Sequence, residues 1–328
     1  MQDILLTDVL IVGGGLVGGT LGCALGAGGL HSVVIDRAPI GRQEEKKLDC
    51  RATAIAQTAK KMLVSLGIWS HLKNQAAPIL DIRVADERSH LFLHFDHEDV
   101  SGEPLGYMVE NYYLRRAIFQ AVSNHSQVTY IAPVELVDVK RTAEGVRAKL
   151  SDGRVIRSAL LVGADGHSSF VRQHAEIPVT KWSYKQTGIV CTVGHQRPHN
   201  NVAHEHFFQA GPFAILPLTG NRCSIVWTES EDHARVLIDL SYDEFLTELS
   251  QRFGDFLGRL KVIGSRSFYP LYLQYANSNT ARRLALVGDS AHCLHPIAGQ
   301  GLNMGLRDVA ALSEVLVDAH RLGLDLGG

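Results

Sequence analysis

Gly13, Gly15 and Gly18 stand in the pattern GxGxxG (GGGLVG), directly after the apolar run Asp8 to Val12 and directly before a helical stretch. That spacing suits a pyrophosphate. Gly13 permits the tight turn, Gly15 lets the backbone approach the phosphates, and Gly18 lets the following helix press on the sheet. The phosphates then meet unpaired N–H groups and the positive end of a helix dipole. Asp36 ends the next apolar run, SVVID, where an acid accepts hydrogen bonds from a ribose 2′-OH and favours an adenosine without a 2′-phosphate. Two later strand-to-loop junctions also carry a carboxylate. One is Gly163-Ala164-Asp165-Gly166, followed by Ser168 and Arg172. The other is Gly288-Asp289-Ser290-Ala291-His292, which runs on through Pro296 to Gly299-Gln300-Gly301-Leu302-Asn303. The last is a strand end aimed at a ligand crevice, with a glycine loop exposing N–H groups at the start of a helix.

The elements that must hold these residues are legible in outline. A strand over Asp8–Val12, a helix over Leu16–Ala27 and a strand over Ser32–Asp36 open a doubly wound α/β domain. Gly22 and Gly26 lie inside that helix at a cost of about 1 kcal/mol each against Ala, so close packing must compensate. Ala59–Leu72 reads as an amphipathic helix carrying Met62, Leu63, Leu66 and Trp69, and Tyr113–Asn124 as another carrying Leu114, Ile118 and Val122. Strands are expected within Leu80–Phe95, within Val128–Lys149 and over Val155–Val162. Residues 186–229 carry short β-rich runs (GIVCTV, HEHFFQ, FAILPL, CSIVWT) separated by Gly, Pro and Asn, which predicts an antiparallel sheet. A helix over Tyr242–Phe253, a buried strand over Arg283–Val287 and a long helix over Met304–Arg321 follow. The mixed-charge run Glu44-Glu45-Lys46-Lys47 reads as a solvated loop.

Composition bounds the function. At roughly 150 residues per domain, 328 residues predict two domains or one with an insertion. With 32 Lys+Arg against 34 Asp+Glu the net charge is −2, which argues against a nucleic-acid binder. Five scattered cysteines without a CxxC pair speak against a disulfide framework or a structural zinc site and fit a reducing cytoplasm. The N-terminal stretch resembles neither a signal peptide nor a membrane span, which predicts a soluble intracellular protein. His292 with His295, and His204 with His206, lack the carboxylate and cysteine partners of a good zinc or iron set, so no metal is expected. No HExxH, GxSxG or P-loop occurs.

GxGxxG, then GADG, then GDSAHxxxPxxGQGLNxG, in this order, resembles the class A flavoprotein aromatic hydroxylases, and within them the ubiquinone-biosynthesis hydroxylases. The resemblance covers essentially the whole chain. It implies a Rossmann-like FAD-binding domain with an inserted, mostly antiparallel β-sheet substrate domain: residues 1–80, 106–183 and 272–328 for the first, 81–105 and 184–271 for the second. It further implies that Asp289 binds the FAD ribityl chain and that Asp165 and Gly166 lie near the pyrophosphate. Arg51, Arg115 and Asn111 match cofactor contacts. The Gly299–Asn303 loop should lie against the flavin ring, and Pro296 beside the face where oxygen reacts. Val17, Arg37, Gly288, Gly301 and Leu302 complete the implied cofactor-binding set. Each of three has a purely structural alternative that weighs less than the cofactor role: Arg115 as a surface helix residue, Asn111 as a helix cap, and Asp36 as a strand-end cap.

The implied reaction lets NAD(P)H reduce FAD, and reduced flavin takes O2 to a C4a-hydroperoxide whose distal oxygen passes to an aromatic ring. The substrate would be a polyprenylated phenol, in a cytoplasmic protein with peripheral contact at the inner face of the membrane left open. No general acid or base is identified. Phe207, Phe208, Phe213, Ile215, Leu216 and Trp227 could line an apolar path or be ordinary sheet core. Two alternatives stand beside this reading: a flavin reductase or dehydrogenase on the same fold, and a non-catalytic subunit of a biosynthetic complex. Relatives usually continue in helices past the last motif, whereas this chain stops at Leu326-Gly327-Gly328. That departure implies weaker FAD retention if those helices cover the pocket.

Overall fold

The computed structural model describes residues 4–40, 50–87 and 91–328; the Glu44–Lys47 run lies outside them. The first strand, Ile4–Val12, is flanked in parallel by Val155–Gly163 on one side and Ser32–Ile35 on the other. Leu284–Leu286 adds beyond Val155–Gly163, and Val128–Ile131 beyond Ser32–Ile35, both parallel. The hairpin Leu136–Arg141 and Val146–Leu150 branches antiparallel from Val155–Gly163. Val9, Leu10 and Ile11 are fully buried, as strands covered on both faces require.

Register is what matters for function. Val12 stands opposite both Gly163 and Ile35, and Gly163 opposite Leu286. The glycine turn, the GADG loop, the Gly288-Asp289 loop and Asp36 therefore all leave the sheet at one level, at the carboxyl ends of the parallel strands. That edge is where ligands bind in open α/β sheets.

A second eight-stranded sheet runs His292–Cys293, Leu260–Ala276, Val179–His195, Arg222–Ser230, Gly211–Leu218, Val202–Phe208, Asp81–Asp86, Phe92–Asp96. It is antiparallel throughout except where Val202–Phe208 pairs parallel with Asp81–Asp86. One face packs on the helices Glu231–Asp239 and Tyr242–Phe253. The second of these opens with a capping box between Ser241 and Glu244. A small third sheet, Ala52–Ala56, Gly106–Glu110 and Ala76–Ile79, packs against the opposite face through Ala54, Ala77, Ile79, Ala203 and Leu218. Arg222 and Glu110 join the two sheets by a bidentate pair at 3.2 and 3.0 Å.

The expected elements are present with shifted ends. Leu16–Ala27 and Tyr242–Phe253 have the bounds expected. The helix expected over Ala59–Leu72 is shorter, Gln57–Ser65, because Gly67 takes a φ of +72° and hands over to a 3-10 turn at Ile68–His71. The final helix begins earlier than expected, at Gln300. Among the described residues no helix is long and apolar enough to cross a membrane.

Candidate functional site

The glycine turn is built by close approach. Gly13 has a φ of +104°, and a Cβ there would run into the carbonyl of Ala164. A Cβ at Gly18 would strike the carbonyl of Gly13, so the helix sits directly on the turn and beside the GADG loop. Gly15 differs: nothing lies within 4 Å of where its Cβ would stand, and the same holds for Gly166 and Gly301. Three backbone segments thus face open space where a large group can lie against them. The neighbouring glycines of the helix pack as its composition required, Gly22 on Val34 and Val128, and Gly26 on His125.

Asp36 serves the turn itself. Its carboxylate accepts from the Gly14 N–H at 2.8 Å and from the Ala38 N–H at 2.7 Å. These two bonds leave lone pairs for a further donor, since a carboxylate accepts about four. Arg37, beside it, is exposed. Asp165 accepts from the Val171 N–H through Oδ2 at 3.1 Å, while its Oδ1 is buried without a partner. A buried carboxylate oxygen without a partner beside the glycine turn calls for a donor, from a ligand hydroxyl or a bound water.

The third motif is stitched to the second. Ser290, fully buried, donates to Gly163 O at 2.6 Å. Arg172, only 4% exposed, donates to Ser290 O at 2.7 Å and His167 O at 2.8 Å. Val17 touches Gly288 and Gly305, so the first helix, the Gly288-Asp289 loop and the last helix meet at its methyls. Asp308 accepts from the Gly288 N–H at 2.8 Å and pairs with His292 Nε2 at 2.7 Å. That bond holds the His292 imidazolium above its ordinary range. Asp289 is exposed to solvent on the loop, with its carboxyl set against neighbouring protein. Desolvation raises its carboxyl, opposed by the charges of His167, His292 and Arg51. Arg51 lies over the ring of Tyr269 at 5.6 Å.

Asn303 is 3% exposed and spends its amide on protein: it donates to Ala54 O at 2.7 Å and to Gly299 O at 3.2 Å, and accepts from the Ala56 N–H at 3.0 Å. It fixes the Gly299 loop to the small sheet. Gly299, with a φ of +61°, lies against Ala54, where a Cβ would be 3.2 Å from Ala54 Cβ. Leu302 packs inward, and Pro296 heads the short turn before Gly299. Asn111 is buried and accepts from Thr53 Oγ1 at 2.7 Å; Arg115, one turn on, is half-buried.

Of the six residues named for an apolar path, Phe213, Ile215 and Trp227 belong to the core under the two outer helices, and Phe208 packs against that core. They face away from the motif loops and cannot line a pocket there. Phe207 and Leu216 lie on the other face, through alternation along the strands. Arg172, Ser290, Asp308 and the Arg222–Glu110 pair carry positioning roles the motifs alone did not assign. Their signal is long-range packing, absent from local spacing.

The comparisons agree with this architecture. Ubiquinone hydroxylase UbiL of Rhodospirillum rubrum is 51% identical over 326 residues, spanning 98% of this chain and 75% of that protein. The 3-demethoxyubiquinol 3-hydroxylase of Escherichia coli is 36% identical over 320 residues, spanning 97% and 81%. The crystal structure of p-nitrophenol 4-monooxygenase PnpA from Pseudomonas putida superposes with a TM-score of 0.80 at 18% identity, covering 98% and 82%, a likeness of fold. The FAD binding domain model matches residues 6–321, and the chain belongs to that family, among the class A flavin hydroxylases whose motifs it carries.

Proposed function

We propose that this chain is an FAD-dependent monooxygenase that uses NAD(P)H and O2 to hydroxylate the aromatic ring of a polyprenylated phenol in ubiquinone biosynthesis. The observation that carries the reading is the convergence of three motif loops at one sheet edge, with open space at Gly15, Gly166 and Gly301. The names of the two relatives point to the substrate class. When bound, FAD supplies the hydride acceptance and oxygen activation that side chains lack.

The residues divide the remaining work. Gly13, Gly15 and Gly18 bring the first-helix N–H groups to the pyrophosphate, with Asp36 and Arg37 at the adenosine end and Asp165 and Gly166 beside the phosphates. Asp289, with Arg51, Asn111 and Arg115, takes the ribityl chain. The Gly299–Asn303 loop, pinned by Asn303, presents N–H groups and a helix N-terminus to the ring, where negative charge develops on reduction. Val17, Gly288 and Leu302 support these loops, and Pro296 borders the reacting face. The parallel sheet and small sheet form the cofactor domain. The second sheet closes the substrate side. A lipophilic substrate favours peripheral contact with a membrane, which belongs to this reading too.

Purified protein should carry oxidised-flavin absorption bands through desalting. With NADH or NADPH and a prenylated phenol it should place one 18O atom from labelled O2 in the product. NAD(P)H consumption without labelled product would instead support a reductase.

A further inference from the structure

Glu205 is a carboxyl in an unusual place. It sits mid-strand in Val202–Phe208, opposite Ala214 on one side and Val84 on the other. Opposed residues share a face, so Glu205, Ala214 and Val226 form one row, continued by Val190. This is the face turned from the outer helices. Ala203, two residues before it, and Leu216, diagonal to it, pack in one cluster with Ala54, and Ala54 is the residue that Gly299 lies against. At the far end of the row, the carbonyl of Val190 accepts from Cys50, next to Arg51. The row therefore crosses four strands, from Glu205 to Val190, where the segment carrying Cys50 and Arg51 meets the sheet.

Glu205 has no hydrogen-bond or ion-pair partner among the described residues. Its neighbours are apolar: Val84, Ala214, Ala203 and Phe207. The nearest other carboxyl on this face is Asp86, opposite Phe207, while Arg83, His204 and His206 project to the other side. Outward from Glu205 the same face continues through Phe207, Leu93 and Phe95, which are 40%, 66% and 50% exposed. A polar group at the inner end of an exposed apolar strip matches a molecule with one ionisable head and a hydrocarbon tail.

We propose that Glu205 is a catalytic base that binds the phenolic hydroxyl of the substrate and takes its proton, with the tail lying outward along the Phe207–Leu93 strip. This rests on the reading of the chain as an aromatic hydroxylase. The substrate O–H bond breaks, its electron pair stays on the phenolate oxygen, and the proton forms an O–H bond on Glu205. The phenolate then feeds electron density to the ring carbon that receives oxygen from the cofactor chemistry. Burial pushes the Glu205 carboxyl up, toward the range where a base is effective near neutral pH.

The test uses the FAD-loaded protein, Glu205→Gln and Glu205→Asp, with 2-allylphenol and 2-geranylphenol as probes. Binding is read from perturbation of the flavin spectrum and turnover from labelled product, both against pH. Wild type should bind the phenols with an affinity that rises as a carboxyl ionises, and kcat should show the same acid limb. Glu205→Gln should lose that limb and about 10²-fold in kcat, while Glu205→Asp restores the limb. Glu205→Gln should be no less stable at pH 8, since it removes a desolvated charge. Phenol binding and its pH dependence unchanged in Glu205→Gln would overturn the proposal even in the absence of turnover. So would a failure of the wild type to bind either phenol. Binding that follows the prediction with no oxygen in the product would uphold Glu205 as the phenol site and defeat the hydroxylase reading instead.

Discussion

Asp308 Oδ2 lies 2.7 Å from His292 Nε2 and, with the same oxygen, accepts the Gly288 N–H at 2.8 Å. One carboxylate on the final helix thus holds both ends of the Gly288–His292 loop, from which Asp289 projects. The bond raises the His292 pKa above its ordinary 6.5. A raised histidine stabilises the fold fully below its unfolded value and loses that contribution as pH rises through the folded value. Thermal unfolding of wild type should therefore show a component that declines above about pH 6.5. Asp308→Asn should flatten that component and loosen FAD, measured by the fraction of flavin lost on desalting at pH 6 and pH 8.5.

Gly13 and Gly15 stand two residues apart in one motif, yet they should fail in different ways. A side chain at Gly13 meets the Ala164 backbone and a φ of +104°, so Gly13→Ala strains the apoprotein itself, by about 1–3 kcal/mol. At Gly15 the space is open in the protein alone. Gly15→Ala should leave the urea midpoint of the apoprotein within experimental error while weakening FAD binding at least tenfold by fluorescence titration. Equal destabilisation of both apoproteins would show that Gly15 has a packing role and not a phosphate-approach role.

Much of this was readable from spacing. The strand, glycine turn and Leu16–Ala27 helix are specified by neighbours in sequence, and local signals suffice for them. Gly67 shows how one residue redirects an otherwise continuous amphipathic pattern. The strand Leu260–Ala276 has no clear local signal in the sequence. Gly264 and Pro270 interrupt its pattern, and its order comes from pairing with Val179–His195 along nearly its whole length. Ala52–Ala56 is alanine-rich, with little β-propensity, and becomes a strand through Gly106–Glu110 and the Asn303 clamp. Alternation along Gly211–Leu218 tells which residues share a face, but only the later helices decide which face they cover. Phe213 and Leu216 could not be separated before that, and Glu205 had no local signature at all.

Asn303 carries three hydrogen bonds in a nearly closed environment. Asn303→Ala would strand the Ala56 N–H and the Ala54 carbonyl inside the protein, a cost on the order of 2–4 kcal/mol. Asn303→Asp keeps the acceptor for Ala56 but loses the donors, and brings a charge where a neutral amide stood. Both should lower the urea midpoint in the apoprotein. A full midpoint in Asn303→Ala with FAD lost would mean that the side chain touches the cofactor and does not clamp the loop.

Phe207 and Phe213 separate the two faces of the second sheet most directly. Phe213 is fully buried and packs edge-on to Trp227 at 6.0 Å between ring centres, beneath the outer helices. Phe213→Ala should cost about 3–5 kcal/mol and lower activity only in proportion to the folded fraction. Phe207 is 40% exposed on the face that carries Glu205. Phe207→Ala should change stability by less than about 0.5 kcal/mol. It should raise KM for a phenol with a geranyl tail several-fold and leave KM for the allyl analogue unchanged. Equal KM changes for both phenols would place the tail elsewhere, whereas a large stability loss would mean that the outward face is packed more tightly than its exposure indicates.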